Sequence, residues 1–349
     1  GGRPPLRAAM VGGGLSLAIE LIQLLVPGRD PSLSDLLTNT VGAFLGALLG
    51  LRWRAIALPS PAGARWLVAG FGGLWLAQVA GTAYAVHPAL PASIYWGQLA
   101  PELGQFERFE GEVIAAGVGP VRLPSAQLRN SADVRQLLLE GQPLWADALP
   151  GPPTAGLAPV VSIFDGEQRE IALVGRWGDD LVYRLRTRAF DLRLRPPAVR
   201  LADGFAPGET GAMVVEGRLS RGPLSFIVAI DSGITGKQVV PMSAQWGWSL
   251  LLPFDYAHGR GSGWLTAVWL TGWMLPLGWW AGRASPWSGL LAAIAVLLLG
   301  LIVIPSSAGL PVGWSTETVP ALGALAVGGW LARSAGRASE PEVAPSRQR

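Results

Sequence analysis

Trp66-Leu-Val-Ala-Gly-Phe-Gly-Gly-Leu-Trp-Leu-Ala-Gln-Val-Ala-Gly-Thr-Ala-Tyr-Ala-Val86 carries no charge, and only Gln78, Thr82 and Tyr84 interrupt its apolar character. Roughly 20 such residues span the hydrocarbon of a bilayer as a helix. Five further stretches read the same way: Ala8 to Val26, Leu36 to Leu51, Trp264 to Ala281, Gly289 to Ile304 and Thr318 to Ala332. The second, fifth and sixth stretches in chain order are short, and need flanking residues or local thinning of the bilayer to cross it. Composition agrees with a membrane class. Half of the 349 residues are hydrophobic and 15% are charged, too apolar for an ordinary soluble chain of this length. The 47 Gly suit closely packed membrane helices and the 16 Trp suit the interface.

Orientation follows from the cations beside the spans. One set of connections holds Arg3 and Arg7, then Arg52, Arg54 and Arg65, then Arg283, then Arg333, Arg337, Arg347 and Arg349. The other holds Arg29 and, between the fifth and sixth spans, no cation. This asymmetry predicts cytoplasmic termini and a middle region outside in a multi-pass membrane protein; 26 Arg against one Lys, with abundant Ala, Gly and Pro, suggest a bacterial source and hence the cytoplasmic (inner) membrane. Trp53, Trp66, Trp264, Trp279, Trp280, Trp287, Trp314 and Trp330 fall near span ends, either as an interfacial belt or as fillers between helices. Cations placed at helix ends rather than in a stripe argue against nucleic acid. With no Cys, the chain has neither disulfide nor thiolate, and His87 and His258 are too far apart in sequence to suggest a His-rich metal site. No Gly-x-Ser-x-Gly elbow, phosphate loop or metal motif is present, so no catalytic residue is assigned.

Between Ala89 and Tyr256 the continuous apolar runs give way to short alternating segments broken by Gly, Pro and Asp. Val160 to Phe164, Glu170 to Trp177, Leu181 to Arg188, Met213 to Leu219 and Leu224 to Ile230 read as strands, with Gly178, Asp179 and Asp180 turning a hairpin and a helix over Asp133 to Glu140. In the hairpin, Val182, Arg184, Arg186 and Arg188 should face away from Leu181, Tyr183 and Leu185. The expected fold is thus a membrane all-α bundle of about six transmembrane helices with an inserted all-β sandwich. Residues 1–86 hold helices one to three, 87–257 the outer domain, 258–333 helices four to six, and 334–349 a disordered cytoplasmic tail.

Polar residues cluster in the first helical hairpin. Glu20 and Gln23 share a face of the first span, Asp35 and Asn39 share one of the second, and Arg29 lies in the turn between them. An antiparallel hairpin sets Glu20 at the depth of Asn39 and Gln23 at that of Asp35. Gly42 and Gly46, with Gly12 to Gly14, should supply smooth faces for close helix packing. An intramembrane carboxylate costs roughly 2.5–3.5 kcal/mol at a helix centre, so it usually faces a partner or a cavity. Either Arg29 pairs with Asp35 or Glu20 while the amides tie the helices together, or the cluster handles a polar group at the outer leaflet.

Glu20, Gln23, Pro27, Gly28, Arg29, Ser32, Asp35, Asn39, Thr40, Gly42 and Gly46 stand in the order and spacing of a motif, and this hairpin resembles VanZ-like membrane proteins. That family usually has further helices ahead of the hairpin, so a longer protein is expected. The resemblance implies a cell-envelope protein associated with tolerance to teicoplanin-type glycopeptides. It carries over no catalytic role.

Val160-Val-Ser-Ile-Phe-Asp-Gly, Arg169-Glu-Ile-Ala-Leu-Val-Gly and Leu181-Val-Tyr-Arg-Leu-Arg-Thr give residues 106–253 a resemblance to concanavalin-like or laminin-G-like jelly rolls. It implies a face for glycan or peptidoglycan-like polymer, sometimes with calcium. Asp179, Asp180 and Asp203 are then candidate oxygen ligands, or simple turn acids. Trp177 and Tyr183 are either stacking platforms for sugar or core residues. A glycosidase would need two acids across a cleft, and no spacing singles out a pair among Glu107, Glu110, Glu112 and Glu170. The expected function is therefore an envelope protein, anchored in the lipid bilayer, that presents an outer glycan-binding sandwich without a resident cofactor. Its rivals are a membrane enzyme acting on a lipid-linked precursor through Glu20 and Asp35, and a purely structural partner.

Overall fold

The computed structural model describes residues 4–23, 33–102, 106–205, 211–222, 224–231, 236–252, 254–259, 261–285 and 287–337. Helices occupy all six apolar stretches. They are α1 (Pro4–Gln23), α2 (Leu33–Leu51), a short α3 (Trp53–Ala57), α4 (Pro61–Ala85) and, after the β-rich middle, the C-terminal group described below. Pro4–Gln23, Pro61–Ala85 and Ser288–Ser307 are long and apolar enough to cross a membrane, and Asp35–Leu51 is a shorter apolar helix. The start of α4 is fixed locally: Ser60 Oγ accepts the Gly63 N–H at 3.2 Å and Pro61 occupies the first turn, where its missing N–H costs nothing.

The middle of the chain folds as two six-stranded sheets. Its elements are β1 (Trp96–Leu99), β2 (Glu112–Val118), β3 (Val121–Arg122), α5 (Ser131–Glu140), β4 (Leu144–Leu149), β5 (Thr154–Phe164), β6 (Glu170–Gly178), β7 (Asp180–Leu185), α6 (Arg188–Asp191), β8 (Ala198–Leu201), β9 (Met213–Arg221), β10 (Leu224–Asp231), β11 (Gly236–Pro241), α7 (Gly247–Leu250) and β12 (Ala257–His258). One sheet has the order β1-β5-β6-β7-β8-β12 and the other β11-β10-β9-β4-β2-β3. All pairs are antiparallel except β8 with β12. Gly178, at φ +63°, and Asp179 form the two-residue turn between β6 and β7, with Trp177 paired to Asp180. The sheets close face to face over residues such as Leu144, Val215, Tyr183 and Phe226, the last two meeting edge to face at 5.6 Å.

One expectation needs correction here. The strand expected to run from Leu181 to Arg188 ends at Leu185, and Arg188 opens α6, because Thr187 pairs with Pro88 and the Arg188 N–H bonds to His87 O at the exit of α4. Val182 does face away from Leu181, Tyr183 and Leu185, and that second face is also covered. Val182 is buried with Leu157, Leu173, Ala198 and Ala257 beneath Phe106 and Trp177, so this sheet is covered on both sides.

The chain returns through α8 (Gly263–Ala284) and α9 (Ser288–Leu298), which continues by a π-helical turn at Leu299–Val303 into α10 (Ile304–Ser307). A second π-helical turn at Trp314–Thr318 leads into α11 (Val319–Arg337). The described helix thus runs past residue 334; residues 338–349, where most of the expected tail falls, lie outside the described residues. α8 and α11 cross where Gly278 faces the Leu325 backbone and Gly328 faces the Leu275 backbone, positions with no room for a side chain. The larger apolar core is continuous from Trp75, Val79, Leu270 and Leu277 in the helices to Val215 and Phe226 in the sandwich.

Candidate functional site: the helical hairpin and the junction under the sandwich

α1 and α2 pack antiparallel. Gly12 meets Ala43, Gly13 meets Thr40, and Asn39 Nδ2 donates to Ser16 Oγ at 3.0 Å. That register sets Asn39 one turn deeper than expected, at Ser16, and brings Glu20 to the level of Asp35. Ser16 and Glu20 are buried, Gln23 is half-buried and Asp35 is exposed. Arg29, with Pro27, Gly28 and Ser32, lies outside the described residues. Gly42 and Gly46 do not form the contact expected of them, since open space surrounds both among the described residues and the close approach is made by Gly12 and Gly13. Ser16 escaped the sequence reading, although its place four residues before Glu20 puts it on the same helical face.

The hairpin is inside out relative to a soluble one. Ser16 and Glu20 are covered, while Leu15, Ile19, Leu21 and Ile22 are 46–64% exposed. Polar groups gathered between helices with apolar flanks outward are the pattern of a helix pair in lipid. The VanZ/LLP1 family matches residues 2–54. That segment is VanZ-like. No curated protein and no solved structure matches the chain.

Outside the VanZ-like hairpin, the sandwich residues divide. Tyr183 is fully buried against Phe226 and the Gly217 backbone, and burial raises its phenol pKa, so it has no face to offer a sugar. Trp177 is half-buried at the end of β6. The turn acids already have partners: Asp179 Oδ1 accepts from Arg176 Nη2 at 2.8 Å, and Asp180 accepts from Arg200 Nη1 and the Asp203 N–H, each at 3.1 Å. Among the described residues no group of three or more His or acidic side chains is arranged to hold a metal. Asp165, from the quoted Phe-Asp-Gly, is a structural hub. It is 2% exposed; Oδ1 accepts the N–H groups of Glu167 and Arg169, both at 3.0 Å, and Oδ2 accepts Arg186 Nη1 at 3.0 Å.

A second polar assembly lies where the sandwich meets the helices. The segment around α7 inserts beside α4, with Gly247 pressed on the Gln78 side chain. Gln245 Nε2 donates to Gly300 O at 3.1 Å. In the π register that carbonyl would take the N–H of residue 305, which is Pro305 and has none, so the glutamine supplies the missing donor. Trp248 Nε1 donates to Thr266 Oγ1 at 3.2 Å, Ser243 Oγ donates to Glu317 Oε1, and the His87 ring bridges Ala83 O and Ala308 O at 2.6 and 2.8 Å. His258 is stacked on Trp246 with centroids 3.8 Å apart; its Nε2 is 3.1 Å from Ser249 Oγ and its Nδ1 has no partner among the described residues. Burial pushes the His258 imidazole down to about 3, so it is neutral at pH 7. Glu317, one residue ahead of the sixth apolar stretch, is pushed up to about 7 by burial against the pull of Ser243 and the Gly313 backbone.

The opposite end of the helices gathers the cations. Arg283 Nε donates to Pro59 O at 3.4 Å, Trp279 and Trp280 donate to Ala57 O and Ile56 O at 2.7 Å, and Gly282 abuts Ala332 beside Arg333. Trp53, Trp66, Trp264, Trp287 and Trp330 are 57–80% exposed, as interfacial residues would be, whereas Trp279 and Trp280 pack between helices.

Proposed function

We propose that this chain is a VanZ-like, multi-pass protein of the bacterial cytoplasmic membrane that acts on the outer side of the cell envelope. Six helices cross the bilayer, both termini are cytoplasmic, and residues 87–257 stand outside as a concanavalin- or laminin-G-like sandwich that binds glycan or cell-wall polymer. The physiological role is tolerance to teicoplanin-type glycopeptides. One observation carries the reading: the sandwich docks at one end of the helices, while at the other Arg283 bonds to the α3–α4 connection that follows Arg52 and Arg54, and Gly282 abuts Ala332 next to Arg333. The cation rule sends that end inward.

Absence of native cysteine makes the topology directly testable. In intact spheroplasts an impermeant maleimide should label a Ser93→Cys chain and leave a Ser334→Cys chain unlabelled until the membrane is opened; the reverse pattern overturns the reading. Retention of the full chain, in micelles, on purified peptidoglycan sacculi supports polymer binding, and its passage through unbound argues against it.

A second reading, a membrane enzyme working on a lipid-linked precursor, draws on Glu20, an acid buried among outward-facing apolar residues. There Glu20 and Asp35 serve as acid and base. Under that reading Glu20→Gln and Asp35→Asn abolish the tolerance phenotype at unchanged protein level; loss of the protein itself assigns both residues to structure.

A further inference from the structure

On the rim of the sandwich next to the helices, a cavity of about 750 Å³ opens between the β6–β7 hairpin and the chain from α6 to β8. Arg169, Arg184, Arg186, Arg193 and Arg195 line it, against the acids Glu170, Asp191 and Asp255. Four of the five arginines have acid partners: Arg195 Nη1 meets Asp255 Oδ1 at 3.1 Å, Arg186 meets Asp165, Arg169 meets Glu167 at 2.8 Å and Asp165 at 3.2 Å, and Arg184 lies 3.5 Å from Glu170, whose carboxyl burial pushes up. Arg193 is exposed and forms no ion pair among the described residues. Gln168 and Arg193, both lining the cavity, hold left-handed backbone angles of φ +61° and +56°. Such strain in non-glycine residues costs of order 1–3 kcal/mol each and tends to collect at binding sites.

Location and neighbours identify where a ligand would come from. The cavity is tied to the outer end of α4 through the Arg188 guanidinium, 4.5 Å over the Tyr84 ring, and to the inserted α7 segment through the Arg195 N–H, 3.3 Å from Leu250 O. Leu192, Leu251 and Phe254 stand 50–64% exposed beside it. Arginines with apolar residues at their flank, at the level where helices leave the hydrocarbon, match a phosphate headgroup whose acyl chains stay in the bilayer.

We propose that this arginine-lined cavity binds the phosphate of an anionic lipid in the leaflet beneath the sandwich. Arg193 and Arg195 supply the accessible guanidinium donors, and the exposed leucines and phenylalanine rest on the acyl region. The outer-leaflet assignment rests on the topology proposed above; the cavity's place beside the end of α4 rests on the Arg188–Tyr84 contact. Bound lipid seats the sandwich on the membrane and sets its polymer-binding surface at a fixed height.

The test uses the full chain in micelles supplied with phosphatidylglycerol, with bound lipid counted by native mass spectrometry. Arg193→Glu with Arg195→Glu should reduce adducts about tenfold, the scale of losing charge-assisted hydrogen bonds. Arg122→Glu with Arg129→Glu, the same charge change at exposed positions elsewhere on the sandwich, should leave them unchanged. The single Arg193→Glu variant, which breaks no ion pair among the described residues, guards against misfolding of the double one and should show an intermediate loss. Equal loss in the control variant, no adducts with the folded wild-type chain, or full displacement of lipid by inorganic phosphate would each overturn the proposal. Maleimide labelling reports the topology separately: correct labelling without lipid adducts refutes the cavity alone, and adducts with inverted labelling refute the orientation alone.

Discussion

The VanZ-like hairpin and the sandwich solve the same burial problem in opposite senses. In the hairpin, Ser16 and Glu20 are covered while Leu15, Ile19, Leu21 and Ile22 face outward. In the sandwich, Phe226, Val215 and Leu144 are covered, and acids such as Asp179 and Asp180 pair with arginines. Hydrophobic burial drives the second, because water is its solvent. It does not drive the first, where close approach at Gly12 and Gly13 and the Asn39–Ser16 hydrogen bond hold the helices together. One chain therefore follows two packing rules, and the solvent on each side decides which applies.

The largest expected effect sharpens that contrast. Phe226→Ala should cost about 3–5 kcal/mol of sandwich stability, because a buried ring leaves a cavity. Leu21→Ala, 56% exposed, should cost less than about 0.5 kcal/mol, because its side chain meets lipid both in the packed hairpin and in separated helices. Thermal unfolding of each variant in micelles measures both, and similar losses would break the comparison.

An intermediate effect is expected at the junction, where the two regimes meet. Folded His258 takes a proton only near pH 3 but the unfolded residue does so near 6.5, so its contribution to stability is complete above pH 6.5 and is lost as pH falls. Glu317 runs the other way: folded, it keeps its proton up to about pH 7, whereas unfolded it ionises near 4.5, so stability declines as pH rises through that window. Glu317→Gln should flatten the decline toward neutral pH, and His258→Gln should flatten the loss toward acid. Melting temperatures between about pH 4 and 8 read both slopes, and a variant profile parallel to wild type would remove that residue from the account.

Smaller effects belong to the hairpin. Asn39→Leu should weaken the helix pair by about 0.6–1.7 kcal/mol, the range for interhelical hydrogen bonds in membranes. Gly13→Leu should separate the pair and Gly42→Leu should be tolerated, since Thr40 blocks the first position and open space surrounds the second. Crosslinking of cysteines introduced on facing positions of α1 and α2 distinguishes the outcomes; equal crosslinking in both glycine variants would undo the assigned packing face.

Much of the architecture was legible because its signals are local. Apolar length located the helices, alternation located β6, β9 and β10, and Gly178 with Asp179 marked the hairpin turn. Type and spacing from Glu20 to Gly46 marked the VanZ-like segment. The hairpin's register was misjudged by one turn because counting back from the connecting turn assumes equal depth on both helices, whereas Gly12 and Gly13 fix the depth. Tyr183 was ambiguous for a related reason: alternation says which residues share a face, not which face another sheet covers. The junction was invisible, since Gln245, His258, Ser243 and Glu317 gain meaning only from elements far along the chain.

By itself the sequence determined which segments are apolar, which are β-rich and where the cations lie, because these depend on side-chain chemistry and short-range periodicity. Only the tertiary structure decided which glycines make contact, that Gln245 replaces the hydrogen-bond donor lost at Pro305, and that arginines from β7 and the chain after α6 line one cavity. Each of these depends on distances between residues far apart in the chain, and such distances are set by packing.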